Sequence, residues 1–377
     1  SIRGKAMLLP LPRLLTCLLL ALLPLASAQA TSLAQQRLLY DEAKRALAKG
    51  DSAPYKRHAQ ALRDYPLTAH LAYDELTHRL KWASNDEIEK FLIEHGDLPQ
   101  IGWMKLRWLR WLAERGEWQR FAAHYDPALN FTELDCLYGL YLYQANLLPQ
   151  ARAQAEKLWL VGKSQHNACD PLFQRWREEG LLSEALRWQR AKLAAQERNF
   201  GLLAFLIKDL PSLSQQGALL QEVAKNPAAI AQTSRFNQTD SATADVVSLG
   251  LRRLARQDPE QALRLLEHYS PRLAFSDTEK VAIAREIGLT LARRFDARAL
   301  AIMAKYDPQV RDNTVSEWRA RLLMRDGRWD ELYQLTRKMP SELAGSNRWR
   351  YWQARSLQLA QPQNSAAIGL YQPVANE

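Results

Sequence analysis

Apolar residues recur at helical spacing along nearly the whole chain from residue 32 onward. Leu134, Leu137, Tyr138, Tyr141 and Leu142 follow an i, i+3, i+4, i+7 pattern, as do Ile283, Ile287 and Leu291. That spacing puts an apolar stripe on one face of a helix. No stretch alternates apolar and polar residues between hairpin turns, and glycine is scarce, 15 of 377 residues. The pattern predicts an all-α chain.

Helix starts are marked by capping boxes, in which a Ser or Thr and the residue three positions on satisfy orphan amides at the first turn. Ser84…Glu87, Ser276…Glu279 and Thr314…Glu317 fit, and Asp258-Pro259 adds a proline at the first helical position, where its missing N–H costs nothing. The helices come in pairs. Trp108–Ala113 runs into Gly116 and then Trp118 and Phe121; Leu140–Tyr143 runs into Asn146 and then Ala151 and Ala155; Phe173 and Trp176 run into Gly180 and then Leu186 and Trp188. Turns fall at 116, 146 and 180, and again at 258, 295 and 327, where Gly327-Arg328-Trp329 repeats Gly116-Glu117-Trp118. Intervals of 30–37 residues between such turns are the signature of stacked helical hairpins, each unable to bury its apolar face alone. The expected architecture is a right-handed superhelix (solenoid) of hairpins. Residues 208–240 are less regular, broken by Leu210-Pro211 and Asn226-Pro227, with a polar loop at 237–241.

The longest apolar run, Leu14–Leu23, follows Arg13 and precedes Ala26-Ser27-Ala28. A charged start, a short apolar core and a small-residue cleavage pattern read as a secretory signal peptide over 1–28, cut near Ala28, with Met7 as the natural start. The run is shorter than the roughly 20 apolar residues that span a bilayer, and Pro24 interrupts it. No stable membrane anchor is therefore expected. Once Cys17 leaves with the signal, Cys136 and Cys169 remain. In an oxidising compartment they read as one disulfide closing a loop of about 30 residues, worth about 3 kcal/mol; two buried free thiols are the other reading. Net charge is +10, and +7 once Arg3, Lys5 and Arg13 are gone. That balance favours anionic partners, and in an exported protein these are cell-wall peptides or membrane surfaces, not nucleic acid.

The candidate chemistry is sparse. Twelve tryptophans, with close pairs at Trp108/Trp111 and Trp349/Trp352, read mainly as wedges between hairpins and secondarily as sugar-stacking platforms. His70 and His78 have no third ligand at metal spacing. Asp41-Glu42, Glu178-Glu179 and Asp330-Glu331 are neighbours that point different ways on a helix. Two acids that cleave a glycosidic bond must instead face each other across a cleft. Neither a catalytic residue, a metal site nor a cofactor is expected. The strongest interaction signal is basic: Lys105, Arg107, Arg110, Arg115 and Arg120 in one hairpin, Arg285, Arg293, Arg294 and Arg298 in another, and Arg348, Arg350 and Arg355 near the end. These form either a solvated exterior or a lining for acidic peptide stems.

A signal peptide, a Trp-rich hairpin array, a cysteine pair and the segment Arg348-Trp349-Arg350-Tyr351-Trp352-Gln353-Ala354-Arg355 together resemble the N-terminal domain of the soluble lytic murein transglycosylases. The motif residues are Arg348, Trp349, Tyr351, Trp352, Ala354 and Arg355. The resemblance implies a U-shaped superhelix carrying a Cys136–Cys169 disulfide, followed by a helical linker domain and a lysozyme-like catalytic domain. It implies periplasmic cleavage of peptidoglycan between N-acetylmuramic acid and N-acetylglucosamine, leaving 1,6-anhydromuramic ends, with one Glu as acid and base and no metal. The expected domains are 1–28 (signal), 29–360 (superhelix) and 361–377 (opening of the linker), where Ser365–Tyr371 resembles the linker's first helix. The family's active-site Glu-Ser pair and Gly-Leu-Met-Gln segment do not occur, so the chain is expected to stop short of the catalytic domain and to be inactive alone. Expected partners are peptidoglycan glycan strands and other cell-wall enzymes. The alternative is a self-standing exported helical-repeat module that binds proteins.

Overall fold

The computed structural model describes residues 31–375, so the signal-peptide reading and Cys17 lie outside the described residues. Helices account for the secondary structure, and among the described residues there is no strand. No helix among them is long and apolar enough to cross a membrane. The chain forms two compact units, one running to Leu129 and the other Asn130–Glu377.

In the first unit, Leu33–Leu47, Ala53–His58 and Thr68–His78 enclose a small core of Tyr40, Ala43, Leu47, Leu62 and Leu71. Asn85–His95, Ile101–Glu114 and Trp118–His124 follow, with Trp108, Leu109, Leu112 and Phe121 buried between them. In the second unit one core runs without a break from Cys136 to Leu322, and a further cluster joins Val310, Leu332, Leu335 and Trp349. A core that continues from hairpin to hairpin is what stacking requires.

The turns explain why pairs form. Helix Ile101–Glu114 ends in Gly116 at φ +72°, with the Gly116 amide on the Ala113 carbonyl (3.0 Å) and the Glu117 amide on the Leu112 carbonyl (2.8 Å). Gly327 does the same after Asn313–Arg325, at φ +67°, with Arg328 reaching Leu323. These paired bonds close the helix and reverse the chain. Asn146 and Phe295 adopt the same left-handed backbone with the same bonds, and Gly180 shares the left-handed φ. The turn at 258 differs: Asp258 caps Pro259–Tyr269, its carboxylate accepting from the Gln261 amide.

Gly116 has nothing within 4 Å of where a Cβ would sit, so Gly116→Ala introduces backbone strain alone. It is expected to destabilise its unit by about 1–2 kcal/mol, whereas Asn146→Gly is expected to be near neutral. Denaturant midpoints check both; an unchanged midpoint for Gly116→Ala would show that the turn relaxes.

Ser84 and Ser276 cap their helices through the Glu87 and Glu279 amides, both at 3.2 Å. Neither glutamate completes the box: Glu87 binds Arg79, and Glu279 reaches Lys192. The third expected cap is corrected. Asp312, not Thr314, caps Asn313–Arg325, accepting from the Val315 amide at 2.9 Å. Asp312 is itself held by an ion pair with Arg285, and a carboxylate is the stronger acceptor. Residues 207–236 hold three short 3₁₀ turns around helix Ser214–Lys225, and Asp240 at the end of the expected polar loop caps Ser241–Gln257.

Candidate functional site

Three helices of the second unit converge on a cavity of about 530 Å³. Glu184–Gln196, capped by Ser183, presents Trp188 and, one turn on, Lys192. Ser241–Gln257 presents Asp245, Leu249, Arg252 and Arg256 at helical spacing on one face. Asp277–Ile283 begins with Glu279 turned inward. Leu160, Leu193, Leu220 and Leu249 supply the apolar lining.

The charges form a chain. Lys192 Nζ stands 3.1 Å from Asp245 Oδ2 and 3.5 Å from Glu279 Oε1. Trp188 Nε1 donates to the same Asp245 oxygen at 2.8 Å. The Arg252 guanidinium lies 3.6 Å from Glu279 Oε2 and donates through Nε to Ser248 Oγ at 3.3 Å. Burial pushes the Asp245 carboxyl above its ordinary range, with Glu279 adding to the effect; the Trp188 hydrogen bond and Lys192 oppose it. Glu279 is 6% exposed, and its Oε2 accepts no hydrogen bond.

A second cavity of about 190 Å³ shares Gln196, Leu249 and Arg252 with the first and adds Arg198, Arg253, Arg256 and Glu286. The two form one groove along Ser241–Gln257. Arg253 donates to the carbonyls of Ala195 (2.5 Å), Gln196 (2.7 Å) and Ala224 (2.7 Å), closing the ends of two neighbouring helices. Burial and the neighbouring Arg198, Arg252 and Arg256 hold its pKa below the usual arginine value. Arg256 pairs with Glu286 at 2.7 Å. Glu286 sits in a π-helical turn, Ala284–Gly288, a local widening often found at functional sites.

The residues singled out in the sequence lie elsewhere. Arg120 pairs with Glu89, Arg285 with Asp312, and Arg298 with Glu260 and Asp296. One member of the first basic cluster and two of the second are thus partnered by acids. Glu42 and Glu179 are likewise partners of Arg57 and Arg152, and His70 Nδ1 shares a 2.8 Å hydrogen bond with Gln100. Five of the twelve tryptophans, Trp108, Trp159, Trp176, Trp188 and Trp349, are buried, while Trp82 and Trp103 are exposed. Cys136 and Cys169 are joined as a disulfide with both residues fully buried. The segment 348–355 lies on helix Asn347–Ala360. Trp349 and Ala354 are buried, and Trp349 Nε1 reaches Glu317 at 3.3 Å. Trp352 packs on the same core, and Tyr351 meets Trp352 and Tyr371 edge-on or tilted. Arg355 binds Gln358, and Arg348 is exposed.

Lys192, Asp245, Arg252 and Glu279 were not singled out from sequence as site residues. Glu279 reads there as a capping residue, and Arg252-Arg253-x-x-Arg256 is the one local signal that marks the groove.

The family model of the cucumovirus coat protein matches residues 142–242, under a third of the chain. Soluble lytic murein transglycosylases of Escherichia coli K12 and Salmonella typhimurium LT2 are each 27% identical over 330 residues, 87% of this chain and 51% of theirs. An inactive mutant of lytic transglycosylase Slt from Pseudomonas aeruginosa is 65% identical, with a TM-score of 0.79 over 90% of this chain and 55% of that one. The chain belongs to the soluble lytic murein transglycosylase family. It spans about half the length of the curated relatives it matches. The 70-kDa soluble lytic transglycosylase of Escherichia coli shares the fold, at 24% identity and a TM-score of 0.63 over 92% of this chain. A 70-kDa soluble lytic transglycosylase has also been solved in complex with bulgecin A. In this transglycosylase-family chain the groove is therefore set in a helical fold shared with those enzymes.

Proposed function

We propose that these residues form the helical scaffold of a periplasmic lytic transglycosylase that cleaves the N-acetylmuramic acid–N-acetylglucosamine bond of peptidoglycan and leaves 1,6-anhydromuramic ends. The carrying observation is the 65% identity to Slt over 90% of this chain, matching 55% of that enzyme. The Cys136–Cys169 disulfide supports an oxidising compartment. In this reading residues 1–28 are a leader, 29–360 the helical stack and 361–377 the opening of a linker domain, and glycan strands and other cell-wall enzymes are the partners. The scaffold holds wall material and does not cut it. Asp245 and Glu279 are both engaged by Lys192, an arrangement suited to binding.

Incubated with purified sacculi, the 377-residue chain is expected to co-sediment at low salt, to be released by high salt, and to liberate no anhydromuropeptides. Robust liberation would overturn the scaffold reading. Capture of periplasmic proteins with no sacculus binding would favour a protein-interaction module instead.

A further inference from the structure

We infer that a separate cleft of the second unit, between helices Ala299–Tyr306, Asn313–Arg325 and Trp329–Lys338, binds a short aliphatic carboxylate whose charged end lies at Arg319 and Lys338. The cleft shares no lining residue with the groove along Ser241–Gln257, and the inference stands apart from the cell-wall reading. Ala301 and Ala304 line it from the first helix, Arg319 and Leu323 from the second, and Leu335 and Lys338 from the third. Each pair is three or four positions apart, as one face of a helix requires. The space between the three faces is about 370 Å³, within the range of about 300–1,000 Å³ that small-molecule sites occupy.

The charges of the cleft do not balance. Arg319, Arg328 and Lys338 line it against one acid, Glu331. Arg328 takes up both oxygens of that acid, Nε donating to Oε1 at 2.8 Å and Nη2 to Oε2 at 2.6 Å. Arg319 and Lys338 remain, and among the described residues neither has a carboxylate within 4 Å. Arg319 is half-buried. Its Nη1 donates to the Asp307 carbonyl at 3.2 Å, and its Nε is buried without an acceptor. The Asp307 carboxylate is turned to other donors: its oxygens accept the amides of Arg311 (2.9 Å) and Asp312 (3.1 Å). Burial holds the Arg319 guanidinium below its usual pKa, and the charge of Asp307 only partly opposes this. A carboxylate from outside supplies the missing acceptors, because its two oxygens match the fork of a guanidinium.

The hairpin sets the length of the ligand. Gly327 turns Asn313–Arg325 back along Trp329–Lys338, so residues equally far from it lie at one level. Arg319 is eight positions before Gly327, and Leu335 and Lys338 are eight and eleven after it. Both cations therefore stand at the end away from the turn. Leu323 and Glu331, each four positions from Gly327, stand nearer to it. The four positions from Arg319 to Leu323 cover about 6 Å at roughly 1.5 Å per residue. A chain of about five carbons, with C–C bonds of about 1.5 Å, fills that distance before it meets the Arg328–Glu331 pair. The walls beside it are Leu300, Ala301, Val310, Leu323 and Leu335, and among the described residues lining the cleft there is no aromatic ring. Saturated carbon covers such walls, whereas a compact anion such as phosphate leaves them wet, and a sugar finds no face to stack on.

Calorimetric titration of the 377-residue chain with hexanoate tests this, beside hexanol, acetate and inorganic phosphate. Hexanoate is expected to bind about tenfold more tightly than hexanol, which keeps the chain but loses the charge. It should also bind more tightly than acetate or phosphate, which keep a charge but lack the chain. Arg319→Gln should erase the preference for hexanoate over hexanol. Lys338→Glu reverses an exposed charge and should weaken hexanoate several-fold. Ala301→Phe fills the cleft from an exposed position and should abolish hexanoate binding without lowering the unfolding midpoint. The last two decide the matter even if Arg319→Gln does not fold. No binding of hexanoate overturns the inference, as does binding no tighter than that of hexanol or phosphate. Hexanoate binding that Ala301→Phe leaves unchanged overturns it too, because the ligand would then lie outside the cleft. The scaffold reading stands whichever way these titrations fall.

Discussion

Trp108→Ala is expected to destabilise the unit ending at Leu129 by about 3–5 kcal/mol. The indole is 1% exposed on helix Ile101–Glu114. Its Nε1 donates to Asn85 Oδ1 at 2.9 Å, and the Asn85 amide donates to Glu117 Oε2 at 2.9 Å. Its ring meets His124 edge-on at 4.7 Å, and His124 is paired with Glu89. One side chain thus ties Asn85–His95, Ile101–Glu114 and Trp118–His124 together. Removing it leaves a cavity and also orphans the Asn85 carbonyl. Trp108→Phe separates the two contributions: it restores most of the volume but not the donor, and should cost about 1–3 kcal/mol. Urea unfolding followed by circular dichroism measures both. A loss below about 1 kcal/mol for Trp108→Ala, well under the range for a buried aromatic, would mean that neighbouring side chains collapse into the space.

Loss of the Cys136–Cys169 disulfide is the second large effect. The bond joins helix Thr132–Gln144 to the turn at Asn167–Cys169 and closes a loop of 33 residues that contains helix Leu148–Trp159. Cross-linking a loop of that length removes unfolded-state entropy worth roughly 3–4 kcal/mol. Both cysteines are fully buried within the main core of the unit, so the double substitution Cys136→Ala/Cys169→Ala adds a small cavity term. Reductant should lower the unfolding midpoint of Asn130–Glu377 in the unmodified chain and leave the double variant unmoved. Free thiols at both positions in the unreduced protein, read by mass spectrometry, would refute the bridge. Because Trp108 and the disulfide sit in different units, their effects should add.

Much of the fold is legible along the chain because helices and their ends are local. The stripe through Ile283, Ile287 and Leu291 is buried as its spacing implies, even though the helix widens into a π turn there. Gly116, Gly180 and Gly327 mark turns that need positive φ. Phe295 adopts the same backbone without the residue type that favours it; only its position in the repeat points to a turn. Thr314 misleads for the opposite reason. It fits a capping pattern, but Asp312 lies two residues earlier and accepts the bond.

The basic clusters show what a sequence leaves open. Composition reports charge, not partners, and Arg120, Arg285 and Arg298 each meet an acid brought close by the neighbouring hairpin. The groove was hidden in the same way. Lys192, Asp245 and Glu279 are spread over three helices, and their proximity depends on how those helices stack. Glu279 even carries a local explanation, since its amide completes the Ser276 cap while its side chain turns away into the cavity.

The sequence by itself therefore determined the helices, their pairing and the repeat, because propensity, caps and turn residues act within a few positions of one another. The tertiary structure alone decided which charges neutralise each other and which face a cavity. Those outcomes depend on distances between residues 27 to 87 positions apart, set only when one hairpin packs on the next.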